Sequence, residues 1–271
     1  MNDDHADSLA ARFAAGGLDW IVPNWPVSSR VCALTTTRNG GASTGPYATL
    51  NLGFTTSQRA TGDTTAAIDE NRRRVECFLP SPPVWLDQVH GTNVAIVEDA
   101  NIALMRSQPP AADAAVTRER DVVLAVLAAD CLPVLLAERL GRAIGIAHAG
   151  WRGLAHGVVE NAIAAMKVPA GDVVAWLGPA IGPSAFEVGE DVLAAFVDAD
   201  PEAAKSFNWV HQGKWLADLY ALARRRLELA GVGDIHGGGF CTYTGAARFF
   251  SYRRDRETGR MATLLWISGV S

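Results

Sequence analysis

The stretch that decides the fold is residues 121–153, DVVLAVLAADCLPVLLAERLGRAIGIAHAGWRG. It contains two short apolar runs, at 122–129 and 143–147, and neither has a charged or hydroxyl side chain. Apolar runs of this length predict strands that are buried on both faces. The first run ends at Asp130-Cys131 and the second at His148. In α/β proteins functional groups collect where strands end, so we expect these residues to lie in a functional site.

The rest of the chain alternates irregularly between strand-like and helix-like segments, which predicts an α/β protein with mixed rather than purely parallel sheets. We predict strands at 31–37, 84–86, 94–97, 113–117, 173–177, 249–252 and 262–267. We predict helices at 65–79, 154–166, 187–197 and 215–230, and an exposed loop at 101–112. Residues 1–17 are polar and Ala-rich, and we expect a variable N-terminal lead-in with a short helix. Residues 18–271 are then expected to form a single domain.

Composition excludes several classes of protein. With 271 residues, 49% apolar and 20% charged, the chain resembles an ordinary soluble globular protein. The net charge of −5 argues against a nucleic-acid or membrane partner. The acidic start lacks the features of a signal peptide, and no apolar run approaches the length of a membrane span. The four cysteines are too few and too scattered for a disulfide framework, which favours a reduced, cytoplasmic location.

Three side chains in the strand-end regions suit a metal ion. Cys131 and His148 close the two apolar runs, and His90 lies upstream before another strand-like segment. Two imidazoles and one thiolate on separate loops predict a zinc site with one open position. Copper could occupy the same donor set, because divalent copper generally binds such sites more tightly than zinc.

Several ordered motifs resemble those of the YfiH-type "laccase domain" family. This family is also described as a purine nucleoside phosphorylase or polyphenol oxidase family, and it includes a peptidoglycan editing factor. The resemblance covers roughly residues 20–268. The motifs that carry it are Gly45-Pro46-Tyr47, Leu50-Asn51-Leu52-Gly53, Gln88-Val89-His90-Gly91, Asp130-Cys131-Leu132-Pro133, Ala147-His148-Ala149-Gly150-Trp151-Arg152-Gly153, Leu177-Gly178-Pro179-Ala180-Ile181-Gly182-Pro183, Trp215-Leu216-Ala217-Asp218-Leu219, Cys241-Thr242, Ser251-Tyr252-Arg253-Arg254-Asp255 and Thr258-Gly259-Arg260.

The resemblance implies a fold and an activity. The fold is a single YfiH-like catalytic domain over residues 18–271, with mixed β-sheets in a layered α/β/β/α arrangement. The activity is phosphorolysis of adenosine, inosine, guanosine and methylthioadenosine, together with adenosine deamination. The partners are then a purine nucleoside and phosphate, and we expect a monomer or weak dimer. The chain departs from the family at residues 54–65, where members often carry a His-x-Gly-Asp-Asp-like segment. A substrate contact from that segment of the family is therefore not carried over to this chain.

The expected chemistry assigns roles to particular residues. His90, Cys131 and His148 are the expected metal ligands and catalytic residues. Zinc lowers the pKa of a bound water to about 7, and a hydroxide so formed could attack C6 of a purine. Asp130 is either a proton relay or a hydrogen-bonded turn carboxylate.

Phosphorolysis also needs a phosphate site. We expect substrate contacts from Asn51, Arg152 and Arg253. Arg152 precedes a helix start, and guanidinium groups bind phosphate through bidentate hydrogen bonds. The aromatic ring of Trp151, Tyr47 or Phe250 could stack on the purine, although aromatic residues of this kind are more often part of the core.

Three other functions remain open from the residues. A copper-dependent polyphenol oxidase is disfavoured, because multicopper oxidases use His-x-His pairs and this chain has six His and no such pair. A cysteine-type hydrolase that edits a peptidoglycan precursor would use Cys131 as the nucleophile and His148 or His90 as the base. A binding module without catalysis is disfavoured by the grouping of His and Cys at strand ends.

Overall fold

The structure is a computed structural model that describes residues 4–54 and 61–269. The α-helices are α1 (Asp4–Ala15), α2 (Thr65–Glu76), α3 (Ile102–Ser107), α4 (Trp151–Ala155), α5 (Val158–Met166), α6 (Glu190–Val197), α7 (Leu219–Leu229) and α8 (Tyr252–Asp255). The strands are β1 (Val31–Thr35), β2 (Val94–Val97), β3 (Ala114–Thr117), β4 (Leu124–Ala128), β5 (Leu132–Glu138), β6 (Ile144–Ala149), β7 (Val173–Leu177), β8 (Glu187–Val188), β9 (Phe207–His211), β10 (Lys214–Ala217), β11 (Asp234–Gly237) and β12 (Met261–Ile267).

The strands form three sheets. The largest has the order β11-β7-β5-β6-β3-β2, in which β11/β7 and β2/β3 are parallel and the central pairs are antiparallel. A second, antiparallel sheet has the order β1-β12-β4, and a small third sheet has the order β8-β10-β9. The predicted mixture of parallel and antiparallel pairs is therefore confirmed.

Side-chain alternation along β5 explains how the two larger sheets stack. Leu132, Val134 and Leu136 face one side and pack with α5, α6 and α7. Leu135 and Ala137 face the other side and pack with the sheet β1-β12-β4. Because successive strand residues point to opposite faces, a strand between two packed layers must be apolar on both.

The second sheet is covered on its outer face by the first two helices. Ala125 and Leu127 of β4 pack in one cluster with Leu9 and Phe13 of α1 and with Val75 of α2. The order of layers is therefore helices, six-stranded sheet, three-stranded sheet, helices. This is the predicted α/β/β/α arrangement.

Local predictions were wrong where tertiary packing overrode the sequence pattern. The segment 101–112 was expected to be a loop but contains α3, because Ile102 and Met105 pack on the core between the sheets. The segment 84–86 makes a single β-bridge from Val84 to Leu124 and no ladder. The segment 249–252 is not a strand. Its apolar Phe249 and Phe250 are buried side chains that precede α8.

Two predicted helices begin or continue differently. The segment 215–230 begins as β10, and α7 starts only after Asp218, whose carboxylate accepts a hydrogen bond from the Ala221 amide at 2.9 Å. The segment 154–166 is two helices, because Gly157 adopts a left-handed φ of 97° between α4 and α5. The strand β5 was not predicted at all, since Pro133 near its start concealed it.

Candidate metal centre and cavity

Three separate segments bring His90, Cys131 and His148 together. Cys131 lies in the link between β4 and β5, and His148 lies in β6 opposite Pro133 of β5. His90 lies in the loop before β2 with a left-handed φ of 57°. One ligand atom from each side chain lies within 4.8 Å of the other two.

The donor set suits a metal ion. Cys131 Sγ lies 3.8 Å from His90 Nε2, and the two imidazole centroids are 4.9 Å apart at an interplanar angle of 77°. His148 is buried, whereas His90 and Cys131 are partly exposed, so the cluster is reached from one side. Imidazole and thiolate ligands are those that zinc and copper prefer. Within residues 4–54 and 61–269, this is the one group of three or more His, Cys, Asp or Glu side chains with such geometry.

The electrostatics of the centre favour a charged thiol–imidazole pair. Burial alone would raise the pKa of Cys131, but the charge of His148 and hydrogen bonds from both histidines outweigh burial and lower it. Burial would likewise lower the pKa of His148, but the Cys131 thiolate and Asp113 outweigh burial and raise it. The thiolate is the form that binds metal ions and attacks electrophiles.

Asp113 is a site residue that the sequence pattern did not reveal. Its side chain is fully buried, and its Oδ1 lies 2.9 Å from His148 Nδ1. The same carboxylate accepts hydrogen bonds from the backbone amides of Val89, His90 and Gly91 at 3.0, 2.9 and 2.6 Å. These contacts keep the pKa of Asp113 below its ordinary value, although burial acts in the opposite direction. From the sequence, Asp113 was only the polar start of a buried strand.

Glycine allows the chain to pass close to the ligands. A Cβ atom on Gly150 would lie 3.0 Å from Cys131 Sγ and 3.0 Å from His90 Cδ2. A Cβ on Gly153 would lie 2.9 Å from the carbonyl oxygen of Gly91, in the His90 loop. The small residues that follow His148 therefore pack directly against the other two candidate ligands.

The candidate ligands line a cavity of about 390 Å³. This volume falls in the range typical of small-molecule sites. Its walls combine apolar side chains with a few polar groups. The remaining lining residues are Gly53, Phe54, Leu86, Asp87, Gln88, Leu127, Ala128, Ala129, Tyr252 and Arg260.

Arg260 places a positive charge in this cavity. Its Nη1 donates to the carbonyls of Thr258 and Gly259, each at 3.0 Å. Within residues 4–54 and 61–269 its guanidinium forms no salt bridge to a carboxylate. Burial lowers its pKa, while the nearby Cys131 and Asp130 raise it. A half-buried cation without a carboxylate partner favours an anionic ligand.

The predicted substrate residues lie outside the cavity lining. Asn51 is fully buried, and its Oδ1 accepts hydrogen bonds from the amides of Gly53 and Arg260, two residues that do line the cavity. Arg152 is exposed, with its guanidinium over the Trp151 ring. Arg253 donates from its guanidinium to the Glu187 carbonyl and packs over Phe186.

The structure also shows where Asp130 and the predicted aromatic side chains lie. Both carboxylate oxygens of Asp130 accept hydrogen bonds, from the Thr242 hydroxyl at 2.6 Å and the Arg253 amide at 2.7 Å, as expected for a turn carboxylate. Tyr47 and Phe250 are buried. The aromatic side chains of the cavity are Phe54 and Tyr252 instead. Half of the divergent segment 54–65, namely residues 55–60, lies outside the described residues.

The described helices include none that is long and apolar enough to cross a membrane.

Comparison with known proteins places these features in a family. A family model described as "Multi-copper polyphenol oxidoreductase laccase" matches residues 32–268. A purine nucleoside phosphorylase of Pseudomonas aeruginosa is 47% identical over 249 residues, which cover 92% of this chain and 98% of the relative. The purine nucleoside phosphorylase YfiH of Escherichia coli K12 is also 47% identical, over 91% of this chain and 98% of the relative.

Solved structures share the fold. A crystal structure of a Neisseria meningitidis protein is 49% identical, with a TM-score of 0.87, and covers 93% of this chain and 100% of that one. YlmD of Geobacillus stearothermophilus is 31% identical, with a TM-score of 0.81, over 91% of this chain and 97% of that one.

Proposed function

This chain belongs to the YfiH-type laccase-domain family, and we propose that it is a zinc-dependent purine nucleoside phosphorylase that also deaminates adenosine. Its substrates would be adenosine, inosine, guanosine and methylthioadenosine, with phosphate as the second substrate. One observation carries the proposal: a single cavity is lined both by the His90-Cys131-His148 cluster and by Arg260, a cation without a carboxylate partner among the described residues. The names of the similar proteins support the phosphorylase part of this proposal.

We assign the metal ligands to His90, Cys131 and His148. Two imidazoles and a thiolate are a known set for catalytic zinc, and the lowered pKa of Cys131 favours the deprotonated ligand. Zinc bound there would supply Lewis acidity and a lowered pKa of water. Variants His90→Ala and His148→Ala should therefore lose zinc and turnover together while remaining folded. Full activity in either variant would contradict the assignment.

Arg260 is our candidate for the phosphate site. One of its nitrogens is occupied by backbone carbonyls, and the rest of its guanidinium can meet phosphate oxygens. In phosphorolysis a phosphate oxygen bonds to C1′ of the ribose, and the glycosidic C–N bond breaks with its electron pair leaving on the purine. Arg260 would orient the attacking phosphate and balance its charge.

The remaining walls of the cavity combine apolar side chains with one carboxylate, and both suit a nucleoside. Leu86, Leu127 and the ring of Tyr252 provide apolar surface for the purine. The carboxylate of Asp87 also lines the cavity and can accept hydrogen bonds from nucleoside N–H or O–H groups. We expect Asp87→Asn to raise KM for adenosine, with zinc content unchanged, as measured by initial rates and metal analysis.

The decisive experiment pairs two measurements on native protein. Metal content is determined by mass spectrometry, and adenine release from adenosine is followed with and without phosphate. Near-stoichiometric zinc with phosphate-dependent adenine release is the expected result. Release of ammonia alone, without phosphate dependence, would reduce the activity to deamination. Stoichiometric copper with phenol oxidation would instead favour the polyphenol oxidase.

A second function is favoured by one feature of the centre. Cys131, His148 and Asp113 form a nucleophile, base and carboxylate series like that of cysteine hydrolases, and the pKa of Cys131 is lowered. Hydrolysis of a peptidoglycan precursor would use this series. An activity that resists chelators but is lost on thiol alkylation would support it, whereas loss of activity with zinc removal and recovery with zinc addition would exclude it.

A further inference from the structure

Asp113 contacts the segments of both candidate histidine ligands at once. It precedes β3, and its carboxylate has no solvent exposure. Oδ1 is shared by His148 Nδ1 and the His90 amide, and Oδ2 by the amides of Val89 and Gly91. Its backbone carbonyl accepts a further hydrogen bond from the His148 amide at 2.7 Å.

The loop that carries His90 depends on this carboxylate. Three successive amides, of residues 89–91, converge on it, and the middle residue has a left-handed φ of 57°. Successive amides that point to one side form an anion-binding concavity. Without the carboxylate, these three amides would lose their shared acceptor, and the loop would no longer be stabilised in this conformation.

The same carboxylate sets the protonation state of the His148 ring. A carboxylate accepts hydrogen bonds, so Nδ1 of His148 must carry the proton it donates to Asp113. In the neutral ring that a metal ion requires, the lone pair is then on Nε2, the nitrogen that does not contact Asp113. Hydrogen bonding of the second ring nitrogen to a carboxylate is the usual way in which proteins orient a histidine ligand.

We propose that Asp113 is the positioning residue of the metal centre, which orients His148 by its side chain and His90 through its loop before a metal ion binds. This role rests on the metal centre of the proposed function but not on its nucleoside substrate. Loss of Asp113 should therefore disturb two ligands, while Cys131 on a different segment keeps its place. Asp113 acts through the histidines and is not itself in the cavity lining.

The test compares two buried carboxylates. In Asp113→Asn we expect zinc affinity to fall roughly 10- to 100-fold, the range found when such supporting groups are lost. The control is Glu138→Gln, since the Glu138 side chain is 1% exposed and accepts the amides of Leu140 and Arg142 at the far end of β5. Zinc affinity is measured by competition with a chromophoric chelator, and folding by circular dichroism.

A spectroscopic measurement separates positioning from general destabilisation. The absorption spectrum of the cobalt-substituted protein should change in Asp113→Asn and remain as in the parent protein in Glu138→Gln. An Asp113→Asn protein with the parent zinc affinity and cobalt spectrum would overturn the proposal. An equal loss of affinity in Glu138→Gln would also overturn it.

One measurement needs no variant. Long-range proton–nitrogen NMR spectra of the zinc-loaded protein report which ring nitrogen of His148 carries the proton. We expect the proton on Nδ1, and a proton on Nε2 would overturn the proposal even if Asp113→Asn does not fold. If the zinc-loaded protein binds metal as expected but releases no purine base, the nucleoside substrate is wrong and the role of Asp113 stands.

Discussion

Replacing Gly150 with alanine should damage the metal centre with little effect on the fold. Gly150 has φ −62° and ψ 158°, a conformation that alanine adopts without strain, so the substitution isolates the effect of the added methyl group. That methyl would lie 3.0 Å from both Cys131 Sγ and His90 Cδ2, and 3.7 Å from His90 Nε2. Nonbonded carbon atoms prefer separations of about 3.5–4.0 Å. The two candidate ligands must therefore move by a few tenths of an ångström to accommodate it.

A displacement of that size approaches the limit of what a functional site tolerates. Catalytic and ligand groups must be held within about 0.5 Å, and a misplacement of about 1 Å can cost about 100-fold in rate. We expect Gly150→Ala to lose about 10-fold in turnover and to bind zinc about 10-fold more weakly. The cost in free energy of unfolding should be about 1–3 kcal/mol from overpacking, partly offset by about 0.4–1 kcal/mol from the reduced entropy of the unfolded chain.

The assays are adenine release, zinc affinity by chelator competition and chemical denaturation. Gly233→Ala is the matched control, because a Cβ at Gly233 meets no atom within 4 Å and its φ is not left-handed. Parent zinc affinity and turnover in Gly150→Ala would refute the assignment of Cys131 and His90 as ligands of one ion. A loss of the same size in Gly233→Ala would show that the assay reports stability instead.

Two further changes test separate parts of the cavity, and a third tests the pH dependence of stability. Arg260→Gln should raise KM for phosphate at least about 10-fold, because a charge-assisted contact contributes about 1.5–3 kcal/mol, with deamination and zinc content unchanged. An unchanged KM in steady-state kinetics would remove Arg260 from the phosphate site. Tyr252→Ala should raise KM for adenosine more than Tyr252→Phe does, because the contact proposed for the purine is with the ring and not with the hydroxyl. Equal effects of the two changes would contradict this. The hydrogen bond from Arg142 lowers the pKa of Glu138, so its stabilisation is present above pH about 4.5 and is lost as pH falls through the lowered pKa; the difference in unfolding free energy between the parent and Glu138→Gln should shrink across that acidic range in urea titrations. A difference that is constant with pH would refute it.

The His90-Cys131-His148 cluster could be predicted from the sequence because each of its side chains is marked by the local pattern. Cys131 and His148 each end or nearly end an apolar run, and His90 lies before the strand 94–97, which the structure has as predicted. Cys131 lies just before β5, and β5 pairs with β6 so that Pro133 is opposite His148, which brings the ends of the two apolar runs close together.

Asp113 could not be predicted in the same way. Its partners are 22–24 residues upstream and 35 residues downstream, and nothing in the local pattern indicates that three amides and an imidazole meet there. The choice among arginines was equally hidden, because Arg152, Arg253 and Arg260 all occur in polar motifs. Which of them enters the cavity depends on how the last loop folds back.

Two errors in the predicted secondary structure have the same physical cause. The segment at Trp215 has a helical pattern, but it pairs with β8 and β9, and sheet hydrogen bonds outweigh a weak local preference. Pro133 concealed β5, although it lies near the strand's start and its carbonyl still accepts from the Gly178 amide. Long-range pairing decided both cases.

The link at Asp130-Cys131 joins β4 of one sheet to β5 of another, so the chain changes layers at the metal centre. Cys131 therefore belongs to this crossing, and His148 to the six-stranded sheet beyond it. An ion bound by both residues would cross-link the two sheets at the point where the chain passes from one to the other. Its removal would delete one link between the two sheets, so we expect a chelator to lower the free energy of unfolding of the zinc-loaded protein, as measured by urea denaturation with and without the chelator.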